Sequence, residues 1–328
     1  MIQQTVVTQH MWFWSAGPGR GRLGRACLAA IGVQLLAGCI GVSNGQTTRD
    51  AGRVGDDGPE GGTGSGAQRT CAGARPEWIW CDDFEVDRLD RYFEYESEGD
   101  RFMRARGAGR NGSYGLRARF SSGTVDAGNL KLAFGRTPGS YFRSVDRGTT
   151  NYRDVYWRIW TRSQPGWRSG DGVKMSRAIV FAGENWSEAA IGHVWNSGSG
   201  GEYLLLDPAS GTDPGGSVRT RRYNDFPRLR WLGQARGRTP LFAPSQSGAW
   251  RCVEARMRLN DPGLSNGIFE LWIDGNLDAA GRGLNWVGRY DAYGINAIFL
   301  ENYWNDGSPV AQERYFDDFV VSTRRIGC

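Results

Sequence analysis

Between Trp250 and Ser322 the chain keeps a period of two, and that limits it to one kind of fold. From Cys252 to Leu259 apolar and polar residues alternate without a break. Val253, Ala255, Met257 and Leu259 take one face; Glu254, Arg256 and Arg258 take the other. This is the pattern of a strand with one side packed and the other in water or lining a site. Asn260-Asp261-Pro262-Gly263 reads as a turn, since Pro fixes φ and Gly accepts positive φ. Gly267 to Ile273 alternates again and runs into Asp274-Gly275, a hairpin signal. Ile295–Tyr303 and Arg314–Ser322 add two further strands, so the block predicts an antiparallel β architecture.

Upstream, further strands are predicted over Gly112–Phe120, Leu130–Phe134, Arg153–Arg162, Lys174–Phe181, Ala189–Trp195 and Glu202–Leu206. Turn clusters such as Ser121-Ser122-Gly123 and Asp207-Pro208-Ala209-Ser210-Gly211 separate them. Even spacing of short strands is the cue for a sandwich, and no repeat of fixed period points to a propeller or β-helix.

The first 38 residues read as an address. Arg20, Arg22 and Arg25 precede the apolar run Ala26–Leu36, which ends in Leu36-Ala37-Gly38-Cys39. A basic start, a short apolar core and small residues at the cut describe a signal peptide too short to span a bilayer. The ending resembles a bacterial lipobox, which implies lipidation of Cys39 and export to the cell envelope, outer membrane or surface, or else secretion. Residues 39–70 are rich in Gly, Ser, Thr and Asp, with too few large apolar residues to fold, and read as a tether. Residues 71–328 are left as one large domain of β-sandwich size.

Charge excludes a nucleic-acid partner. With residues 1–38 go three arginines and no acid, leaving 37 basic against 35 acidic residues and a net of +2. No basic helix appears. Four cysteines remain in the domain, Cys71, Cys81, Cys252 and Cys328, an even number that suits an oxidising compartment and allows three pairings. Cys71–Cys81 and Cys252–Cys328 are the expected ones, the first closing a short loop and the second pinning the last residue to a central strand.

The order and wording of the Trp250–Ser322 block resemble the concanavalin A-like jelly rolls of laminin-G-like lectins and of bacterial alginate and glucuronan lyases, over roughly Trp78 to Cys328. Glycosidases of similar fold carry paired carboxylates on one strand, whereas here Glu254 stands alone. A polysaccharide lyase needs the carboxylate of a uronate neutralised, a base for the C5 proton and an acid for the leaving oxygen. Lys174-Met175-Ser176-Arg177, Gly192-His193-Val194 and Asn302-Tyr303-Trp304-Asn305 supply those residue types on three strands. The resemblance implies that Arg177 and His193 bind the carboxylate and that Tyr303 is the catalytic acid/base. The chain departs from the family in carrying Ile191 two residues before the His, and in lacking a full Tyr-Phe-Lys around the late Tyr.

Each of these residues also has a structural reading. His193 alternates with Ile191 and Trp195 and suits a hydrogen-bonded core position equally well. Arg177 alternates with Met175, Ile179 and Phe181, so it must be paired or line a cleft. Tyr303 shares a face with Phe299 and Glu301. Ideal pleating puts Lys174 opposite Arg177 unless a bulge intervenes. The strand Arg153–Arg162 alternates aromatics and guanidiniums, which suit an acidic sugar. Tyr156, Arg158, Trp160, Arg256, Lys174, Trp195, Glu301 and Asn302 are therefore the expected substrate contacts. Two Asp-Asp-Phe segments, one near each end of the domain, make Asp83, Glu85 and Asp318 a candidate calcium set; no other cofactor is expected. The sequence therefore predicts a monomeric protein acting on an acidic polysaccharide, membrane-associated only through its lipid. The expected activity is β-elimination, with a non-catalytic lectin-like or structural surface lipoprotein as the alternative.

Overall fold

The computed structural model describes residues 70–197 and 200–328; the predicted leader, Cys39 and the tether lie outside the described residues. Among the described residues sixteen strands form two antiparallel sheets facing each other. In the first sheet the order is β14 (Asn276–Leu284), β13 (Gly267–Ile273), β12 (Arg251–Arg258), β6 (Asp154–Ser163), β16 (Gln312–Ser322), β4 (Tyr114–Phe120) and β3 (Phe102–Arg106). β1 (Trp78–Asp82) also pairs with β16. The second sheet runs β10 (Arg230–Trp231), β9 (Tyr203–Ser210), β8 (Glu188–Ser197), β7 (Lys174–Phe181), β15 (Ala297–Tyr303), β5 (Asp126–Ala133) and β2 (Glu94–Glu96), with β11 (Ala235–Arg236) also on β9. This is the predicted β-sandwich jelly roll.

The alternation seen in sequence is what joins the sheets. Val155, Trp157, Ile159, Met257, Phe269 and Leu271 face inward from the first sheet, and Leu130, Leu132, Val180, Val194, Leu206 and Ile298 from the second. Each buried side chain of this kind contributes roughly 1.5–3 kcal/mol. Asp274 and Gly275 both adopt positive φ, 49° and 81°, and form the two-residue turn that pairs Ile273 with Asn276. Both expected disulfides form, with Cα–Cα distances of 5.6 Å for Cys71–Cys81 and 5.9 Å for Cys252–Cys328.

One predicted turn is a strand instead. Asp207-Pro208-Ala209-Ser210 continues β9, with Pro208 opposite Gly192. The Pro208 carbonyl accepts from Leu232 N–H on the side away from β8, so its missing N–H costs β9 no bond to β8. β10 and β11 pair on either side of that point.

A second apolar cluster lies on the outer face of the second sheet. Ile179, Phe181, Ile191, Ala209, Ala297 and Phe299 are covered there by Phe93, Phe142 and Leu229, with Trp186 and Tyr223 packed alongside. This roofs part of the outer face and leaves the stretch around Lys174, Trp195 and Tyr303 as the open part.

Candidate active site

The open stretch begins with a bulge. The β7–β8 register slips between Lys174 and Ser176. Met175 is buried in the core, and the Ser176 hydroxyl accepts the indole N–H of Trp157 at 3.0 Å, so both point inward. Lys174 is thereby returned to the outer face with Arg177. Its Nζ lies 3.5 Å from the ring centroid of Trp195. The ring of Trp195 stacks in turn on His193 at 4.3 Å. Trp231 extends the stack toward solvent, with 43% of its surface exposed, and Phe226 lies parallel to it at 6.2 Å.

Lys174, Trp195, Asp207, Gln234, Asp171 and Asn305 border a cleft of about 280 Å³. Burial, followed by the nearby Arg177 charge, brings the Lys174 pKa down to about 7. Burial raises Asp207 to about 6, while Gln234 Nε2, donating to its carboxylate at 2.9 Å, and the Lys174 charge oppose the shift. A lysine partly neutral at physiological pH is able to accept a proton.

Tyr303 ends the strand next to this amine. Ser176 pairs with Leu300 and Val173 bridges to Trp304, so the start of β7, with Lys174, runs along the end of β15, with Tyr303. Asn302 and Trp304 are both buried, so alternation sends Tyr303 outward, where it is half-buried.

Arg177 and His193 are direct cross-strand neighbours, as the lyase reading requires, but both are committed to internal partners. Arg177 donates from Nε to Glu301 Oε2 at 2.8 Å and from Nη1 to Asn224 Oδ1 at 2.8 Å, and its Nη2 lies 2.7 Å from Glu301 Oε1. Burial works against the Arg177 charge, yet Glu301 outweighs it and the pKa is raised. Tyr223 and Asn224 lie over the guanidinium. His193 is 1% exposed, with Nδ1 2.9 Å from the Asp207 carbonyl and Nε2 without a partner. Burial, then the Arg177 charge, hold it well below the usual histidine range, so its imidazole is neutral. The hydrogen-bonded core reading of His193 is the one the structure favours.

The other expected contacts divide. Lys174 and Trp195 face the cleft, and Glu301 is the buried partner of Arg177. Asn302 points the other way, donating to the Gly128 carbonyl and accepting from Arg314 in the core. Tyr156, Arg158, Trp160 and Arg256 belong to the first sheet and occupy its outer face, with internal partners of their own. Arg256 binds Asp154 at 2.7 Å and Glu270 at 3.0 Å. Arg110 lies 3.7 Å over Trp160, and Tyr156 stacks on Trp272. Arg158 donates to the Gly327 carbonyl, because the C-terminal segment crosses this face with Ile326 and Gly327 N–H bound to Glu254. These arginines and aromatics are held by partners within the protein, and of the four Arg158 and Trp160 also line a cleft.

Asp83, Glu85 and Asp318 do converge on one cleft of about 550 Å³ beside Arg158 and Trp160. They do not fit a calcium ion as arranged. Asp318 is paired with Arg110 at 2.8 Å, Glu85 accepts Tyr114 N–H, and Asp83 is 3.5 Å from Arg88. No group of three acids, histidines or cysteines able to hold a metal forms among the described residues.

No family model matches this chain, and no curated protein matches it in sequence. Solved structures do share its fold. An endo-β-1,4-glucuronan lyase from the fungus Trichoderma reesei superposes with a TM-score of 0.51 at 13% identity, over 75% of this chain and 96% of that one. Alginate lyases from Chlorella virus and from Aplysia kurodai each give 0.49 at 10% identity. They cover 70% and 75% of this chain, and 90% and 99% of their own. At these identities the likeness defines a class by fold, the jelly-roll β-sandwich of the glucuronan lyase.

Proposed function

We propose that this protein is an exported polysaccharide lyase that cleaves a uronate-containing chain by β-elimination at the Lys174 cleft. The observation that carries the reading is the pairing of a near-neutral amine with a phenol on adjacent strands, beside an aromatic wall. A pyranose ring stacks on Trp195 and Trp231, and Asn305 offers an amide N–H to the uronate carboxylate. Neutral Lys174 takes the C5 proton. The electron pair forms the C4–C5 double bond as the C4–O bond breaks, and the Tyr303 hydroxyl protonates the departing oxygen. Proton transfer through solvent from the Lys174 ammonium to the Tyr303 phenolate restores both groups. Arg177 and His193 support this arrangement from below instead of performing it.

Purified protein incubated with alginate, glucuronan and glycosaminoglycans should produce the ultraviolet absorbance of the unsaturated product on at least one polymer. No absorbance on any of them refutes the lyase reading. The second reading, carbohydrate binding without turnover, draws on the commitment of the Arg177 charge to Glu301. It is favoured if a glycan array shows binding while no polymer is cut.

The two disulfides support an oxidising destination. The lipid anchor at Cys39 is part of the same proposal. Cys39→Ala should leave the protein unprocessed or mislocalised, and unchanged fractionation with membranes contradicts the anchor.

A further inference from the structure

Arg314 on β16 points into the core between the two sheets and is completely buried. Its acceptors are neutral oxygens on the opposite sheet. Nη2 donates to the Glu301 carbonyl at 2.6 Å, the Lys174 carbonyl at 3.0 Å and Asn302 Oδ1 at 2.8 Å, while Nη1 has no partner. Burial lowers its pKa to about 9. An apolar side chain of similar volume fills such a site more cheaply than a buried guanidinium without a carboxylate. What an apolar side chain lacks is the ability to tie two strands together by their backbones.

Those two carbonyls lie where both ladders slip. The β7–β8 register shifts between Lys174 and Ser176, and the β15–β5 register between Glu301 and Tyr303. One nitrogen of Arg314 thus joins β7 to β15 at the bulge that turns Lys174 outward. We infer that Arg314 is a positioning residue for the Lys174 cleft, fixing from inside the sandwich where the Lys174 amine stands relative to Trp195 and Tyr303. The inference rests on the proposed elimination for its catalytic meaning, but the placement of Lys174 is measurable without any substrate. The groups that set the environment of this amine are Arg177 on its own strand, Trp195 and His193 on β8, Asp207 on β9, Glu301 on β15, and Asp171 in the preceding loop. Arg314 touches none of their side chains. Its hydrogen-bonded link to the amine runs through the Lys174 and Glu301 carbonyls.

The chain offers an unusually clean test, because Lys131 and Lys174 are its only two lysines. Competitive labelling with acetic anhydride across pH, read by mass spectrometry of the two lysine peptides, gives the titration of each amine. In the wild type Lys174 should titrate near 7, with Lys131 as the internal reference. In Arg314→Met the bulge relaxes and Lys174 gains water, so its midpoint rises and its labelling at pH 7 drops at least about twofold, the effect of a half-unit shift from a midpoint near 7. Lys131 should not change, and Arg314→Lys should fall between the two. A Lys174 curve that superimposes on the wild type in Arg314→Met overturns the inference. Should that variant fail to fold, Asn302→Ala removes the side-chain acceptor of Arg314 while keeping the guanidinium. An upward shift of Lys174 is expected there too, and its absence overturns the inference equally. If the labelling curve moves while no uronate polymer is cut, the proposed elimination falls and the positioning role stands.

Discussion

Glu301 holds Arg177 in a two-pronged ion pair, 2.8 Å from Nε and 2.7 Å from Nη2, on the outer face of the second sheet. Both side chains are nearly inaccessible, at 4% and 8% exposure. Breaking one half of a buried pair leaves the other charge stranded, at a typical cost of about 3–5 kcal/mol. Glu301→Gln should therefore lower the unfolding free energy measured by urea titration by an amount in that range. The double replacement Arg177→Met with Glu301→Leu should cost much less. Equal losses in the two variants contradict the account of this pair.

Glu188 supplies a pH dependence of opposite origin. Burial raises its pKa to about 8, against a partly compensating Arg177 charge. Its Oε2 accepts the Asn224 N–H at 3.1 Å, while Oε1 has no partner. The folded state therefore holds a proton that the unfolded chain has released. The stabilisation is complete below the unfolded value of 4.5 and is lost as pH rises through about 8. Glu188→Gln keeps an acceptor for Asn224 and abolishes this titration. It should exceed the wild type in stability at pH 9 by about 1–3 kcal/mol, the usual cost of an unsatisfied buried polar group. Parallel stability–pH curves for the two proteins sink the assignment.

The Cys252–Cys328 bridge spans a sequence separation of 76. Closing a loop of that length is worth roughly 4 kcal/mol by chain entropy. The bridge also holds Ile326 and Gly327 against Glu254, which is fully buried. Cys328→Ser should cost stability on that order. It should also raise amide exchange at Ile326 and Gly327 before any part of β12 is affected. Protected amides there in the variant contradict the role given to the bridge.

Most of the sandwich was legible in sequence because alternation carries it. β7 and β13 occupy the residues predicted for them, and the Asp274-Gly275 hairpin follows from two residues that tolerate positive φ. β1, β2, β3 and β14 gave no clear alternating run, and their register is imposed by neighbouring strands. The candidate site was only half legible. Sequence order identified Lys174, Arg177, His193 and Tyr303, but not which amine or ring stays free. The bulge at Met175 and Ser176 decides the side of Lys174, and it depends on a hydrogen bond to Trp157 from the opposite sheet. Trp231, Gln234 and Asp207 escaped notice because Pro208 looked like a turn and β10 and β11 are two residues each. On the Tyr156–Trp160 face the C-terminal segment binds Arg158 and Arg110 lies over Trp160, tertiary contacts that strand periodicity does not encode.

The central claim is that Lys174 is the base of an elimination reaction, and the pH dependence of turnover by wild type and Lys174→Arg tests it most directly. Lys174 has a folded pKa of about 7, below its ordinary 10.5, so the neutral amine grows as pH rises. The account predicts that kcat/KM for double-bond formation on the best uronate polymer climbs through a midpoint near pH 7. In Lys174→Arg, which stays protonated, turnover should fall at least about a hundredfold and lose that limb, while polymer binding persists. A Lys174→Arg protein that still cuts the polymer with the same rising limb contradicts the account.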